Sequence, residues 1–542
     1  MGNDTPRQSL HFDFLRRAVK LQPQPSKMAP QRLPPRSRSS YDKRWLVLAL
    51  LATSLAIVAV LNFRGMITSG YFDRANAQRS VETRLRNSKA VDELVTLLLA
   101  KQGQLKDDEL SSENRTVSAT APTAAATEAA TTSLLHQPAP RSIYQGDEDR
   151  TELHIVFSMG CSQGRRVPLQ TILQYSAVAV GQRGPITQIL SGCTDAQRDQ
   201  VMREPTLYYD FRRHFTPSYS PHPTPNVTDD YTPYNKPFAL RHFLRNAQPP
   251  VKHDIIALID GDMVFFKPLE VNTGRDVTKY YHGKRDVATV NDTVADGIAV
   301  AQDWYNYLNS GWYAEHAKEK LEAVCAGKAC MNVTREDARE YYSSTGPPYI
   351  MTRHDMVAMV DDYCDFVVRG RQVDDAWMVE MFAYSLAVAN HGIKHTLLTN
   401  LGATHPKLAM GQREYWDFVD ETLPNPCEDS SAVVMPPDPP VGIHYCQKYG
   451  FVNGDHKGHY YYKYDLPETI VNCDSPLLMV PPASDWDTLE QTTTRELLAQ
   501  KRHEVWVECS TTKVVNQAMV KYKQRTCSTG YNTEQSIEMV KP

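Results

Sequence analysis

The chain has 542 residues, 41% of them hydrophobic and 23% charged, with a formal net charge of −4 at pH 7. That length has room for about three domains at ~150 residues each, and the apolar share is enough for a sizeable core. A sequence pI near 6.5 offers no positive field to a polyanion, which argues against a nucleic-acid binder.

Residues 1–44 are rich in Pro, Arg, Gln and Ser and read as a disordered cytosolic tail. "WLVLALLATSLAIVAVLNF", residues 45–63, carries no formal charge and is about long enough to cross a ~30 Å hydrocarbon core. A cleaved signal peptide would have a shorter apolar region nearer the first residue. Arg32, Arg36, Arg38, Lys43 and Arg44 mark the preceding side as cytosolic, although Arg64 and Arg74 weaken the asymmetry. The expectation is a single-pass type II anchor, with nearly everything after it in the lumen of the Golgi or the ER. Residues 64–150 then read as a stalk. Its first part, 76–110, has helical composition, and 111–142 dissolves into Ala, Thr, Ser and Pro of the kind that carries O-glycans.

All ten cysteines follow the span, which suits an oxidising compartment; sequence does not fix their pairing, though Cys325 and Cys330 could close a small local loop. No Cys-x-x-Cys pair supports zinc instead. Glycosylation acceptors at Asn114, Asn226, Asn291 and Asn332 also follow the span.

A globular head is expected over 151–480, with a helical extension over 481–542. "HIVFS" (154–158) predicts a strand, 167–181 a helix and "ITQILSG" (186–192) another strand. "KPFALRHFLRNA" (236–247) predicts a helix with Pro237 in its first turn. "DIIALI" (254–259) is a short apolar run closed by Asp260-Gly261-Asp262, so it reads as a buried strand. "VDDAWMVEMFAYSLAVANHG" (373–392) predicts one long buried helix, capped by its Asp pair and stopped by Gly392. "VGIHYCQ" (441–447) predicts a strand, and 485–527 has helical spacing. Strands alternating with helices imply an α/β fold with a mostly parallel sheet flanked by helices.

In such sheets the carboxyl ends of the strands bind ligands. Two carboxylates there can hold a divalent cation through hard oxygen ligands, and the cation can screen a diphosphate. A plain turn is the ordinary alternative for Asp-Gly-Asp. With the anchor and stalk, the pattern points to a nucleotide-sugar glycosyltransferase of the GT-A type using Mn²⁺ or Mg²⁺. Asp262 is expected to touch the metal, Asp260 to reach the ribose or the metal shell, and Gly261 to let the backbone approach the nucleotide. His444 is the first candidate for a third metal ligand, with a core histidine as its plain alternative and His405 in reserve. Lys236, at a helix start, could meet phosphate or sugar oxygens, or be an ordinary loop lysine. Asp375 and Glu380 flank Trp377, and Glu380 lies in a strongly apolar stretch where a carboxylate needs a partner.

"HIVFSMGCS", "YNKPFAL", "IIALIDGDMVFFKPL", "PPYIMTR", "WMVEMFAYSLAVANHGIKH", "IHYCQKYG", "NCDSPLLMVPP" and "RHEVWVECSTTKVVNQAMVKYKQRTC" occur in this order. The series, over about residues 152–527, resembles the peptidyl serine α-galactosyltransferases and their relatives, the hydroxyproline O-arabinosyltransferases, and is nearer the serine branch. The resemblance implies a retaining transferase that uses a UDP-sugar and a Ser- or hydroxyproline-containing polypeptide. It maps the family's Asp-x-Asp onto Asp260 and Asp262, its Asn-Lys-Pro onto Asn235 to Pro237, and its Trp…Glu-Met block onto Trp377, Glu380 and Met381. Asn235, Lys236, Asp260, Gly261, Trp377 and Met381 are expected at the substrate, and Asp375 and Glu380 at the reaction, with an ordinary helix cap as the plain alternative for Asp375. Relatives often carry Asp-Ala-Asp where this chain has Gly261. Two rivals are an arabinosyltransferase using UDP-L-arabinofuranose and a non-catalytic carbohydrate-binding scaffold of the same fold.

Overall fold

The structure, a computed structural model, describes residues 152–222, 228–406, 414–428, 431–450 and 458–541. The expected tail, anchor and stalk, and the acceptors Asn114 and Asn226, lie outside the described residues. Among the described residues no helix is long and apolar enough to cross a membrane.

A seven-stranded sheet runs through the head in the order β3-β2-β1-β4-β7-β6-β8. Its strands are β1 (His154–Gly160), β2 (Ile186–Ser191), β3 (Phe211–Thr216), β4 (Ile255–Ile259), β6 (Ile298–Asp303), β7 (Thr345–Thr352) and β8 (Lys394–Leu398). All neighbours pair in parallel except around β7, which is antiparallel to both β4 and β6. The fold is therefore mixed α/β with a mostly parallel sheet.

β4 shows why its sequence is an unbroken apolar run. Side chains alternate across a strand, so Ile255, Ala257 and Ile259 enter one core while Ile256 and Leu258 enter the other. Both faces are covered, which removes any reason for a polar alternate position. On the first face lie the helices Arg166–Ala179 and Arg495–Thr526; on the second lie Asn235–Asn246, Arg353–Val373 and Val379–Asn390. The residues expected as a C-terminal extension share the first core through Trp506, Val507, Val514 and Val515. Their long helix is tied down by the disulfides Cys427–Cys509 and Cys473–Cys527. Cys161–Cys193 and the short loop Cys325–Cys330 complete four disulfides, leaving Cys364 and Cys446 as thiols.

One expected helix is corrected. The run 373–392 is not continuous: the helix Arg353–Val373 ends at Asp374, and a new helix starts only at Val379. Asp374 closes the first helix and accepts from Trp312 Nε1 at 3.0 Å, Lys320 Nζ at 2.7 Å and the Ala376 backbone N–H at 3.1 Å. That turn lifts Asp375 and Trp377 into solvent. Gly392 does stop the second helix, with a φ of 66° in the left-handed region that suits glycine.

Candidate active site

Asp260-Gly261-Asp262 is the corner at which the chain leaves β4 and the main sheet. The next residues form β5 (Met263–Phe265), which pairs antiparallel with β9 (Gly442–His444) in a separate ribbon. The register sets Met263 opposite His444, and the Tyr445 backbone N–H donates to the Asp262 carbonyl at 3.1 Å. A histidine 182 positions away in sequence is thus delivered beside Asp262 by backbone pairing. His444 Nε2 lies 3.1 Å from Asp262 Oδ1 and 3.6 Å from Asp260 Oδ2. Its ring stacks on Trp304, at 5.0 Å between centroids and 7° between planes, which fixes the imidazole orientation.

Two lysines close the cluster. Lys236, at the start of the helix Asn235–Asn246, reaches Asp260 Oδ1 at 2.8 Å and Glu380 Oε2 at 3.2 Å. Tyr363 donates its hydroxyl to the other oxygen of Glu380. Lys463 donates to Asp262 Oδ2. Three carboxylates therefore face two ammonium groups and an imidazole in a largely buried volume.

Burial opposes charge at Asp262, His444, Lys236 and Lys463, and at these four the partners prevail. For Asp262, burial alone would raise the carboxyl; His444 and then Lys463 overcome it and hold it well below the usual carboxylate range. His444 is the mirror case: burial would lower it, and Asp262 keeps it well above its ordinary value. Burial would also lower Lys236 and Lys463, but Asp260 with Glu380, and Asp262, raise them. Glu380 is raised, by burial first, with Lys236 pulling against it.

One ligand atom each from Asp260, Asp262 and His444 fall within 4.8 Å of one another. Two carboxylate oxygens and one imidazole nitrogen are a donor set that suits Mn²⁺, so the residues fit a divalent cation. His405 is not in this group. It stands edge-on to Tyr307, and its backbone N–H donates to Glu414 at 2.6 Å. Glu414 also accepts from the Thr404 N–H at 2.7 Å, and burial pushes its carboxyl up to about 7.

The other expected site residues divide. Asn235 engages its amide with the backbone, accepting from Tyr219 N–H at 2.9 Å and donating to Thr232 at 3.2 Å, so it shapes the wall behind Lys236. At Gly261 a Cβ would meet Phe157 Cδ2 at 3.1 Å and Met159 Sδ at 3.3 Å, so the glycine lets the chain pass close to β1. Met381 is buried in a small cluster with Trp304, one layer behind His444. Glu380 reaches Asp260 through Lys236, and its buried carboxylate has the partners it needs, Lys236 on one oxygen and Tyr363 on the other. Asp375 is exposed and Trp377 is 65% exposed. The Trp377 carbonyl accepts from the Tyr231 hydroxyl, which in turn accepts from the Glu380 N–H at 3.0 Å, so the exposed indole sits on a pinned loop.

Sequence reasoning missed Lys463, Trp304, Tyr363 and Tyr231. The one available signal for Lys463 was a lone cation inside the aromatic run Tyr460–Tyr464.

No family model matches the chain. It is similar to the peptidyl serine alpha-galactosyltransferase of Arabidopsis thaliana, with 27% identity over 256 residues. The match takes in 46% of this chain but 27% of that relative, so the chain spans about a quarter of the curated protein it matches. Among solved structures, an active-site mutant of LgtC and the galactosyltransferase LgtC with donor and acceptor sugar analogs match at 13% and 14% identity. Both alignments cover 54% of this chain and 87% of the other, at a TM-score of 0.30, which is too low to carry an argument. The ordered sequence motifs and the curated relative agree, and the chain is similar to the peptidyl serine α-galactosyltransferases, a glycosyltransferase-like family.

Proposed function

We propose that the chain is a metal-dependent glycosyltransferase of the GT-A type. It moves one sugar, galactose before others, from a UDP-sugar to a Ser or hydroxyproline hydroxyl of a polypeptide, with retention, in the lumen of the Golgi or ER. The observation that carries this reading is the meeting of Asp260, Asp262 and His444 where the chain leaves the carboxyl end of β4. The curated relative supports it independently. Four disulfides support an oxidising compartment, and Asn291 and Asn332 are exposed as glycan acceptors need to be.

When bound, a divalent cation supplies charge against the diphosphate that leaves. The chain's own residues do the rest. Asp260, Asp262 and His444 would hold the ion, Lys236 and Glu380 fix the Asp260 carboxylate, and Trp304 fixes the imidazole plane. Preorganisation of this kind lowers the barrier because little has to reorient as charge develops. Glu380 has both oxygens engaged and is not placed as a free base. That supports front-face attack, in which the leaving diphosphate oxygen takes the acceptor's proton. Trp377, exposed on its pinned loop, offers an aromatic platform for the acceptor.

The test offers the full chain UDP-galactose and UDP-L-arabinofuranose with serine and hydroxyproline peptides, follows UDP release, and reads the product anomer by NMR. Retained galactose on serine or hydroxyproline is expected. An inverted linkage overturns the mechanism, and arabinose on hydroxyproline moves the enzyme to the sister branch. No transfer and no UDP release, from these two donors or from a wider panel of UDP-sugars, favours the scaffold.

A further inference from the structure

Lys236 and Lys463 are alike in burial, with side chains 16% and 14% exposed, but not in their partners. Lys236 lies between two carboxylates, Asp260 and Glu380, so it keeps a counter-charge whatever happens at Asp260. The ion pair of Lys463 is with Asp262, the carboxylate that also meets His444 and stands first for the metal. A divalent cation on Asp262 would sit within a few ångströms of the Lys463 ammonium, and like charges that close in a largely buried volume repel strongly. Lys463 also lies over the ring of Tyr464, with 4.8 Å from Nζ to the centroid, a contact that can guide but not neutralise it.

We infer that Lys463 is an exchangeable counter-ion. It neutralises Asp262 before the cation binds, then yields that carboxylate and carries its charge to the diphosphate of the donor. The inference rests on the proposed metal-dependent reading and adds one consequence: cation and lysine compete for Asp262. A buried ammonium that loses its carboxylate needs another anion, and the donor's diphosphate is the anion that the reaction would bring. Lys236 does not exchange.

The test compares the full-length protein with Lys463→Gln and Lys463→Met, the second keeping the apolar stem packed. Mn²⁺ binding without nucleotide is followed by the loss of the free-ion EPR signal, and UDP binding at saturating Mn²⁺ by calorimetry. Both variants are expected to bind Mn²⁺ about tenfold more tightly, having lost the competitor, and UDP about tenfold more weakly, having lost a charge-assisted hydrogen bond. The two affinities must move in opposite directions. If the wild type binds Mn²⁺ and UDP but the variants shift neither, or shift both the same way, the exchange is wrong and the metal reading survives. If the wild type takes up no stoichiometric Mn²⁺, both fall together.

Discussion

Two clusters among the described residues bring two aspartates and a histidine within 4.8 Å: Asp260, Asp262 and His444, and Asp296, His354 and Asp355. They lie at opposite ends of the sheet, the first beyond the carboxyl end of β4 and the second beside Thr352, which pairs with Ile255 at its amino end. Composition does not separate them, but their partners do. In the second cluster the Asp355 N–H is capped by Thr352 Oγ1 at 3.1 Å, and Asp355 Oδ2 accepts the Gly297 N–H at 2.7 Å. Thr352 Oγ1 donates to Asp296 at 2.7 Å. These are the needs of a helix start and a strand entry, met locally, with Asp296 and His354 exposed and only Asp355 buried. In the first cluster the residues come from separate parts of the chain, Asp262 and His444 are buried, and both lysines are held by the aspartates. A carboxylate group that needs two lysines to be buried is costly to build for structure alone, and that cost distinguishes a candidate site from a helix cap.

The largest expected effect falls on Asp262. Asp262→Asn should lower turnover by about three orders of magnitude and abolish stoichiometric Mn²⁺ binding. The paired control, Asp296→Asn with His354→Ala, should leave both unchanged. Mn²⁺ titration and UDP release from the same preparations check this, and loss of Mn²⁺ in the control would erase the distinction drawn above.

Glu380→Gln comes next. It leaves Lys236 with one carboxylate and Tyr363 with a neutral acceptor, so a destabilisation of about 1–3 kcal/mol is expected. Because Lys236 then leans wholly on Asp260, turnover should fall about tenfold while the KM for the acceptor peptide stays within about twofold. Denaturant unfolding and steady-state kinetics separate the two. A rise in acceptor KM with kcat intact would mean that Glu380 touches substrate after all.

How much of this was legible follows from the range of each interaction. β1, β2 and β4 could be read because a strand buried on both faces needs an unbroken apolar run. β7 could not, because Pro347-Pro348 in a central strand contradicts the usual rule. The sheet accommodates them at a register shift, with Tyr349 opposite Ala301 and Gly346 opposite Gln302. The break at 374–378 was invisible because the apolar pattern runs through it; it is imposed by Trp312, Lys320 and Tyr231 from elsewhere in the chain, with Arg371 of the preceding helix. For the site, residue type suggested the aspartates and the histidine. Their meeting depends on the β5–β9 ribbon, whose three-residue strands carry no periodic signal.

Asp355→Ala sharpens the comparison from the other side. It removes the acceptor for Gly297 and an acid from the first turn of the helix Arg353–Val373, which should cost about 1 kcal/mol with no change in Mn²⁺ affinity. A melting curve beside an Mn²⁺ titration is enough to check it.

The smallest effect is expected at Gly261, and it decides why the tripeptide carries glycine. Gly261 is not among the residues of positive φ, so the backbone does not demand it. An added methyl would meet Phe157 Cδ2 at 3.1 Å and Met159 Sδ and Cγ at 3.3 and 3.4 Å, tighter than ordinary contact. Met159 is flexible and can give by a few tenths of an ångström; Phe157 is fully buried and gives less. Gly261→Ala should therefore cost about 1 kcal/mol through overpacking, with turnover within about threefold and unchanged Mn²⁺ affinity. The opposite result, an unchanged melting temperature with a large loss of UDP affinity, would mean that the methyl meets the nucleotide rather than β1. The glycine would then belong to the site itself, as the sequence suggested, and not to the packing that holds Asp260 and Asp262 in place.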